Sequence, residues 1–378
     1  MIIGIDARFA VHPRRGIGNY TYHLLSYLAE IDRTNTYILY IDKQDSEGVL
    51  PTQENFRTKV ISPTNYVVWE QVSLPIHAFR DGVEVLHCTG NTSPLWLSKR
   101  IKLISTIHDV MYLKDGRDLP SSSSLHQRLG RIYRRINVPL SVNRLNFAIT
   151  VSNFSKQDIR SHLPKLSDDC ISVIPEAPNE VFQHIATPSS DILAKLGIQG
   201  DFLLALGGLD PRKNTKFLIE AYCELRSENA ITPKLVIAGI PNWRDTAFNR
   251  LVEGSPCQDD IIFTDFLSED DLVCLYNTCK AFIYPSRYEG FGLPPLEAMA
   301  CGAPVITSDV TSIPEIVEDA AILIDPENKS QMKQEITRLC HDPDLRDTLI
   351  AKGFGQVKKF SWKRLANETL TLYRTVAG

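Results

Sequence analysis

Short runs of apolar and β-branched residues alternate with longer amphipathic stretches along nearly the whole chain. Such runs are typical of buried strands, and the stretches between them show the 3.6-residue period of helices. In the first half the predicted strands are MIIGID, TYILYI, VEVLHC, KLISTIHD, FAITVS and ISVIP. In the second half they are FLLALG, KLVIAG, IIFTDF, AFIYPS, APVITS and AAILI. This alternation predicts an α/β protein with two open parallel sheets of roughly six strands each.

The boundary between the two predicted domains falls near residue 186. The stretch VIPEAPNEVFQHIATPSS, which contains proline, asparagine and serine, precedes a new helix and a new first strand there. Stretches of this kind commonly separate domains. We therefore assign residues 1–185 to a first domain and the residues from 186 onward to a second.

Length and composition also favour two soluble domains. The 378 residues exceed what one core usually serves, and 43% hydrophobic against 23% charged residues is an ordinary globular balance. The sequence has no apolar run of 18 residues, and its N-terminus lacks the layout of a secretory signal. A cytoplasmic protein is the expectation, and nucleic acid is not an expected partner.

The net charge of −4 hides a difference between the two halves. Residues 1–185 carry 21 Lys and Arg against 18 Asp and Glu, whereas residues 186–378 carry 20 against 27. A basic half and an acidic half are expected to face different partners.

The eight cysteines are scattered along the chain, with no C-x-x-C pair and no histidine at metal-ligand spacing near them. Such cysteines favour free buried thiols in a reducing compartment.

The stretch YPSRYEGFGLPPLEAMACG at 284–302 places a glycine-rich loop directly before a helix. PPLEAMA is the predicted helix, because proline is tolerated in a first helical turn and Gly302 is suited to cap the end. Gly290 and Gly292 let the backbone approach a ligand closely, and the helix N-terminus offers N–H groups and partial positive charge. The pattern predicts a site for a phosphate group.

Two glutamates flank this predicted phosphate site. Glu289 lies on the loop, and Glu297 is expected in the first helical turn. A carboxylate beside a phosphate would be repelled, so each should instead accept hydrogen bonds from hydroxyl groups, which sugar rings supply on either side of a diphosphate. The alternative for Glu297 is an acid that complements the helix dipole.

A second loop, in LLALGGLDPRKN, carries two cations after a strand that ends at Gly207 and Gly208. Ligands of open parallel sheets bind where strands end and loops lead into helices, which is where Arg212 and Lys213 lie. Lysine can bind an anion as a point charge and arginine as a fork. Two solvated loop cations are the alternative.

Two features of the first half are less specific. Gly16 and Gly18 open a helix, but the third glycine of a dinucleotide fingerprint is missing and the loop before them is too long. A close backbone approach to a phosphate or sugar fits these glycines better. His108 and Asp109 end a strand, where a role in the site and a supporting or capping role are both open.

The segment SLHQRLGRIYRRINVPL predicts a basic amphipathic helix. Its apolar stripe consists of Leu125, Leu129, Ile132 and Ile136. Its arginines, on the other faces, are Arg128, Arg131, Arg134 and Arg135. One interpretation is a solvated helix packed on its own domain. The other is a surface that docks an anionic bilayer or a diphosphate-linked lipid.

Taken together, YEGFGLPPLEAMACGAPVITS and the following SIPEIVEDAAILIDPEN resemble the signature of family 4 glycosyltransferases, which are retaining enzymes of the GT-B fold. GGLDPRKN, IHDV, TVSNFSKQDI, VIPEAPNEVF and FSWKRLANETLTLYR extend the resemblance over nearly the whole chain. The DPRKN form is similar to that of bacterial enzymes that build surface polysaccharides and are often called mannosyltransferase-like.

The resemblance implies two Rossmann-like parallel-sheet domains that face each other across a cleft. It also implies that the last helix crosses back, so that residues from about 360 to 378 join residues 1–185 while residues 186–359 form the nucleotide-sugar-binding domain.

The resemblance further implies a role for each matching residue. Glu289 would hold hydroxyls of the donor sugar, Glu297 would hold the ribose, and Lys213 with Arg212 would bind the diphosphate. His108 would sit beside the transferred sugar. Backbone N–H groups of Gly290, Phe291, Gly292 and Leu293 would bind the diphosphate or sugar. Gly16 and Gly18 would close over it from the first domain, and Gly208 would also lie in the donor site.

One departure from the family pattern concerns the donor site. Many members carry an arginine where this chain has Gly208, so Arg212 would supply that charge from a different angle. The predicted catalytic residues are His108, Arg212, Lys213 and Glu289.

The implied function is retaining transfer of a hexosyl group from a nucleotide-sugar to a glycan or lipid-diphosphate-linked acceptor in cell-surface polysaccharide synthesis. UDP-glucose and GDP-mannose are the expected donors, with a slight preference for a UDP-hexose. Asp342 and Asp344 fall in a late turn and make no convincing D-x-D motif, so neither a metal nor a cofactor is expected. The alternatives are a nucleotide-sugar epimerase of GT-B architecture and a catalytically silent nucleotide-sugar-binding subunit.

Overall fold

The computed structural model describes residues 1–14, 16–114, 125–188, 191–228 and 232–378. The chain forms two compact units. The first contains Met1–Lys114, residues 125–176 and Ser361–Gly378, and the second contains the described residues of Ala177–Phe360.

The first unit is built on a sheet of seven parallel strands. They are β1 (Ile2–Asp6), β2 (Thr36–Ile41), β3 (Phe56–Val60), β4 (Val85–Cys88), β5 (Lys102–Thr106), β6 (Phe147–Thr150) and β7 (Ile171–Val173). Their order in the sheet is β3-β2-β1-β4-β5-β6-β7. Helices cover both faces of a sheet of this kind, which is why its central strands are near-continuous apolar runs.

The helices of this unit follow the strands as the βαβ pattern predicts. They are α1 (Arg8–Val11), α2 (Gly16–Ile31), α3 (Tyr66–Val68), α4 (Leu74–Arg80), α5 (Leu125–Ser141) and α6 (Asn153–His162). A π-helical segment, Trp69–Ser73, joins α3 to α4.

Strand β3 is the element that the hydrophobic pattern did not predict. It lies at the edge of the sheet, and its sequence FRTKV exposes Arg57 and Thr58 while only Phe56 is buried. Charged residues on an edge strand discourage pairing with other chains, and they also remove the apolar run by which a strand is found.

The second unit repeats the architecture with six parallel strands. They are β8 (Phe202–Leu206), β9 (Lys234–Ala238), β10 (Ile261–Phe263), β11 (Ala281–Tyr284), β12 (Val305–Ser308) and β13 (Ile322–Ile324), in the order β10-β9-β8-β11-β12-β13. The helices are α7 (Asp191–Lys195), α8 (Thr215–Glu228), α9 (Ala247–Val252), α10 (Glu269–Thr278), α11 (Leu293–Ala300), α12 (Ile313–Val317), α13 (Lys329–His341) and α14 (Pro343–Val357). Side chains of α8, α13 and the central strands form a shared core on one face of this sheet.

The chain passes from the first unit to the second after Glu176, whereas the sequence placed this boundary after residue 185. The intervening segment belongs to the second unit because it packs on α10. The Phe182 ring contacts Tyr276 edge-on at 5.9 Å, and the Ile185 N–H donates to Asn277 Oδ1 at 2.7 Å. Prolines and asparagines mark a stretch without regular structure, but they do not show which neighbour it packs against.

The last helix, α15 (Trp362–Ala377), returns to the first unit as predicted. The Trp362 ring stacks on His23 of α2 at 4.5 Å, and the Tyr373 hydroxyl lies 2.6 Å from His87 Nδ1 in β4. The unit is therefore completed by residues from the opposite end of the chain.

Cys223 of α8 and Cys257, which precedes β10, form a disulfide with their Cα atoms 5.4 Å apart. The expectation of free thiols is wrong for this pair. Among the residues that the structure describes, the other six cysteines form no disulfide. The pair forms because α8 packs beside the segment that leads into β10, a proximity that scattered spacing does not reveal.

Candidate active site

The glycine-rich loop of the second unit leads into α11. Gly292 is the N-cap with a φ of 110°, and a Cβ there would lie 2.5 Å from Ile313 Cδ1, so only glycine fits both the backbone and the space. Two prolines follow Leu293 in the first turn. Since proline has no N–H, the donors at this helix start belong to the loop and to Leu293. Gly302, with a φ of 84°, follows the end of the helix as predicted.

The residues after β12 hold this loop in place. Thr311 Oγ1 accepts from the Glu289 N–H at 3.2 Å. Ser312 Oγ lies 2.9 and 2.7 Å from the carbonyl oxygens of Glu289 and Phe291, which share its proton. Thr311 has a φ of 61°, which is unusual for a β-branched residue. Sequence reasoning missed both side chains, because a Thr-Ser pair after a strand carries no signature of a site.

The carboxylate of Glu289 is held by three donors. Its Oε1 accepts from Lys213 Nζ at 2.9 Å, from the Tyr284 hydroxyl at 2.7 Å and from the Ser286 hydroxyl at 2.7 Å. No side chain in the described part of the protein donates to Oε2. The arrangement leaves one oxygen of the carboxylate to accept a hydrogen bond from a ligand.

The charge of Glu289 is set by its neighbours. Burial alone raises the pKa of Glu289, but Lys213, Arg212 and the hydrogen bond from Tyr284 outweigh it and lower the pKa to about 2. The carboxylate is therefore ionised at neutral pH. The side chains of Lys213 and Glu289 are 24% and 13% exposed, so solvent reaches both.

Lys213 is shared between Glu289 and Tyr284. Its ammonium donates to the Tyr284 hydroxyl as well as to Glu289, and it lies 4.8 Å from the centroid of the Tyr284 ring. Among the described residues these are its two hydrogen-bond partners. An ammonium has three N–H groups, so one is left to bind an anion.

Arg212 lies beside Lys213 on the 3₁₀ turn Pro211–Lys213, which Asp210 caps. Its Nε donates to Asp210 Oδ2 at 2.8 Å. Its main-chain oxygen accepts from the Arg287 N–H at 2.7 Å. This backbone contact joins the loop with the two cations to the loop that carries the glutamate.

Gly208, which has no side chain, leaves the space that the Lys213 side chain occupies. It follows β8, and its N–H and carbonyl oxygen each lie 3.1 Å from Thr215 Oγ1. A Cβ at this position would lie 3.2 Å from Lys213 Cγ, so a side chain here would press on the lysine.

Glu297 lies deeper in α11 than predicted. The helix begins at Leu293, ahead of the prolines, so its first turn contains no acid and the helix-dipole interpretation is wrong. Burial raises the pKa of Glu297 to about 8; Glu269 adds to the rise and Lys213 opposes it. A carboxyl that is mostly protonated at neutral pH can both donate and accept a hydrogen bond.

The two glycines predicted in the first unit lie at the start of α2. Gly16 has a φ of 24°, and a Cβ at Gly18 would lie 2.8 Å from the Phe9 carbonyl oxygen in α1. Gly18 is therefore required for packing between α1 and α2 whether or not a ligand approaches it. The ring of Tyr20, in the same helix, contacts His108 edge-on at 4.7 Å. Helix α2, which the two glycines open, therefore contacts His108.

His108 is 8% exposed, and all its polar groups are engaged inside the first unit. Nδ1 lies 3.0 Å from Glu176 Oε1 and Nε2 lies 3.0 Å from the Thr89 carbonyl oxygen. Its N–H donates to Asn91 Oδ1 at 2.7 Å, and its carbonyl oxygen accepts from the Ser155 hydroxyl at 3.1 Å. These contacts fit the supporting role that the sequence left open for His108. A role beside the transferred sugar stays a prediction.

Within the described ranges, no group of three His, Cys, Asp or Glu side chains is placed to hold a metal ion. Positive charge at the glycine-rich loop comes instead from Lys213, Arg212 and backbone N–H groups. Whether the chemistry needs a metal stays a prediction.

Comparison with known proteins identifies the family. The model described as Glycosyltransferase Family 4 matches residues 14–177, and the model described as Glycosyl transferases group 1 matches residues 191–356. The O-antigen chain mannosyltransferase B of Escherichia coli is 30% identical over 275 residues, which cover 72% of this chain and 70% of that protein. The chain belongs to glycosyltransferase family 4. The predicted family and enzyme class are confirmed.

Solved structures show the fold of this family 4 glycosyltransferase. Sucrose-phosphate synthase from Thermosynechococcus elongatus matches with a TM-score of 0.75 at 19% identity, over 100% of this chain and 99% of that one. HepE from Anabaena, in complex with UDP-glucose, matches with a TM-score of 0.71 at 14% identity, over 99% of each chain. Likenesses at this identity concern the fold alone, and the predicted GT-B fold is confirmed.

Proposed function

We propose that this glycosyltransferase transfers a mannosyl or related hexosyl group, with retention, from a nucleotide-sugar to a glycan or lipid-diphosphate-linked acceptor in cell-surface polysaccharide synthesis. The observation that carries the proposal is the pair of Lys213 and Glu289 beside the glycine-rich start of α11. It combines a cation with a spare N–H, a carboxylate with a spare oxygen, and backbone donors, which suit a diphosphate next to a sugar.

Two donors were expected, and the family relationship favours one of them. The relative from Escherichia coli is named a mannosyltransferase, which supports GDP-mannose. The complex of HepE with UDP-glucose is a likeness of fold at 14% identity and does not bear on the donor. The proposal therefore turns from a UDP-hexose to GDP-mannose.

Different groups of the second unit bind different parts of the nucleotide-sugar. The N–H groups of Gly290, Phe291 and Leu293, with Lys213 and Arg212, bind the diphosphate. Oε2 of Glu289 accepts a hydrogen bond from a hydroxyl of the sugar. The mostly protonated carboxyl of Glu297 holds the ribose hydroxyls, to which it can donate as well as accept.

Transfer breaks the bond between the sugar C1 and the diphosphate oxygen, and negative charge builds on the leaving group. A fixed cation that points at developing charge needs no reorganisation, and losing one such donor costs about 10²–10³ in rate. Lys213 fills this role in the proposal, so no metal is required.

Retention proceeds in this proposal without a covalent intermediate on the protein. Oε1 of Glu289 is occupied by three donors, and its low pKa makes the carboxylate a weak nucleophile. The acceptor hydroxyl attacks from the face that the diphosphate leaves, and the leaving phosphate takes its proton. The reaction takes place in the cytoplasm, and a lipid-linked acceptor would bring the enzyme to the membrane surface.

A donor screen followed by a turnover assay tests the proposal. GDP-mannose should raise the melting temperature more than UDP-glucose does. It should also be turned over with a lipid-linked acceptor at a rate that a metal chelator does not change. Loss of all turnover in the chelator would remove the metal-independent mechanism.

Two outcomes of the same assay would favour the alternatives. Equilibration of the nucleotide-sugar with its epimer in the absence of acceptor would indicate an epimerase. Donor binding without turnover, for every acceptor and nucleotide-sugar tried, would indicate a silent binding subunit.

A further inference from the structure

Helix α5 turns its apolar stripe to the solvent. Four residues at helical spacing, on one face, are more than half exposed: Leu129 (56%), Ile132 (54%), Ile136 (57%) and Leu140 (52%). The side chain of Leu125 lies outside the described residues. The face that α5 buries instead carries Asn137, Val138 and Ser141. An apolar stripe normally faces the core, whereas α5 packs on its own domain through its other face and leaves the stripe exposed.

Two neighbouring segments lie against α5, and Gln71 connects them. Its Nε2 donates to the Tyr133 hydroxyl of α5 at 2.7 Å and to the Ser93 carbonyl oxygen at 3.2 Å, and its Oε1 accepts from the Leu95 N–H at 2.9 Å. The Tyr66 ring of α3 contacts Tyr133 edge-on at 5.6 Å. Helix α3, the segment that follows β4, and α5 therefore form one continuous surface.

The two neighbouring segments also expose apolar side chains. Val67 and Val68 of α3 are 44% and 40% exposed, and Leu95 and Trp96 are 36% and 52% exposed. Soluble proteins rarely expose apolar groups this close together unless the patch binds something. We call this surface, which comprises the exposed residues of 66–68, 95–100 and 128–140, the α5 face.

The charges of the α5 face have one sign. Residues 93–102 and 125–144 contain no Asp or Glu, and Arg128, Arg135, Lys99 and Arg100 are exposed. Glu70, in the segment after α3, is fully buried and accepts hydrogen bonds from Thr92 and Tyr133. Arg134, another of the predicted arginines, packs over the Tyr112 ring at 5.9 Å.

We propose that the α5 face docks on an anionic lipid bilayer, with the apolar stripe and Trp96 inserted among the headgroups and the cations beside the phosphates. Aromatic and aliphatic side chains next to Arg and Lys are what an interfacial helix offers a membrane. Within the described part of the chain, no helix has the length and apolar character that crossing a bilayer requires. The contact is peripheral, and it does not depend on the proposed reaction.

Charge favours a bilayer over a second copy of this chain as the occupant. A two-fold symmetric interface places the same patch on both partners. Two α5 faces would then bring cations opposite cations, because residues 93–102 and 125–144 contain no Asp or Glu. A bilayer of anionic lipids presents negative charge to these cations, and each surface arginine adds about 1 kcal/mol to such binding.

Co-sedimentation of the full chain with vesicles tests the proposal. Binding is expected to vesicles of 70% phosphatidylcholine and 30% phosphatidylglycerol, and not to pure phosphatidylcholine. Trp96 is the tryptophan of the α5 face, so its emission should shift to the blue on binding, and Trp96→Phe should remove that shift. Failure to bind the anionic vesicles overturns the proposal.

Two pairs of substitutions separate what the apolar stripe and the arginines each contribute to vesicle binding. Ile132→Ser with Ile136→Ser should weaken binding about tenfold or more, since it removes apolar area from the inserted stripe. Arg128→Gln with Arg135→Gln should weaken binding about thirtyfold at low salt, the factor that about 1 kcal/mol per cation gives for two. Binding that the isoleucine pair leaves unchanged would overturn insertion of the stripe.

Matched controls change the same chemistry elsewhere. Arg33→Gln with Arg57→Gln removes the same charge from exposed positions outside the α5 face, and Leu251→Ser removes an exposed apolar side chain of the second unit. Both should bind vesicles as the wild type does. Light scattering after gel filtration tests whether a second copy of this chain covers the α5 face instead. A dimer that the isoleucine pair converts to a monomer, together with no vesicle binding, would assign the α5 face to a second copy.

Discussion

Lys213 and Glu289 lie 76 residues apart in the chain and form a 2.9 Å ion pair beside the start of α11. The pair joins the loop after β8 to the loop after β11, two neighbouring strands of one sheet. Each partner uses part of its hydrogen-bonding capacity on the other and keeps the rest for a ligand. The pair is therefore both a structural link and the chemical centre of the proposed donor site.

Lys213→Ala is expected to lower donor turnover by about 10² or more, because the variant loses the fixed cation that stabilises the leaving diphosphate. The measurement is the turnover number with saturating donor and acceptor. Lys216→Ala is the control, since the Lys216 side chain is 70% exposed and pairs with Glu220 on the surface of α8. Near-normal turnover in the Lys213 variant would remove this lysine from the reaction.

Glu297→Gln is expected to flatten the dependence of stability on pH. Its pKa is raised from 4.5 to about 8 in the folded state, so the folded protein holds a proton that the unfolded chain releases. The contribution is fully present below about pH 4.5 and is lost as the pH rises to about 8. Urea unfolding of both proteins at pH 5, 7 and 9 measures it. Equal slopes for variant and wild type would contradict the raised pKa.

Ser312→Ala is expected to loosen the glycine-rich loop. The hydroxyl bonds the buried carbonyl oxygen of Phe291 and the partly buried one of Glu289, and losing a buried partner costs about 1–3 kcal/mol of the free energy of unfolding. Affinity for the nucleoside diphosphate should fall as well, which calorimetry measures. Ser330→Ala is the control, because Ser330 is exposed. Unchanged affinity in the Ser312 variant would show that the loop keeps its shape without this support.

Gly292→Ala and Gly355→Ala are expected to change stability in opposite directions. Alanine at 292 meets Ile313 at 2.5 Å with a φ of 110°, so the variant should lose about 1–3 kcal/mol and most donor binding. Gly355 lies inside α14, where a Cβ would have no other atom within 4 Å, so alanine there should gain about 0.5–1 kcal/mol. Thermal unfolding measures both. A Gly292 variant as stable as the wild type would contradict the close packing.

Much of the fold follows from the hydrophobic pattern. Twelve runs of apolar residues correspond to strands of the two sheets, since a strand buried on both faces needs an apolar residue at almost every position. The same rule explains the strand that was missed. Phe56–Val60 lies at a sheet edge, where exposed Arg57 breaks the apolar run.

Part of the candidate site could likewise be predicted from the sequence, and part could not. Spacing and residue type predicted the glycine-rich loop, its helix start and the cations at 212 and 213, because these features are local. The pairing of Glu289 with Lys213, and the support from Thr311 and Ser312, depend on which strands lie side by side.

The sequence by itself determined the βαβ alternation, the two sheets and the family, because strand periodicity and loop motifs are written in consecutive residues. Only the tertiary structure decided that Cys223 meets Cys257, that Glu297 lies half-buried in the second turn of its helix, and that the stripe of α5 faces the solvent. Each of these depends on contacts between residues far apart in the chain. Periodicity shows that a helix has an apolar face, but only the packing of its neighbours shows whether that face is covered.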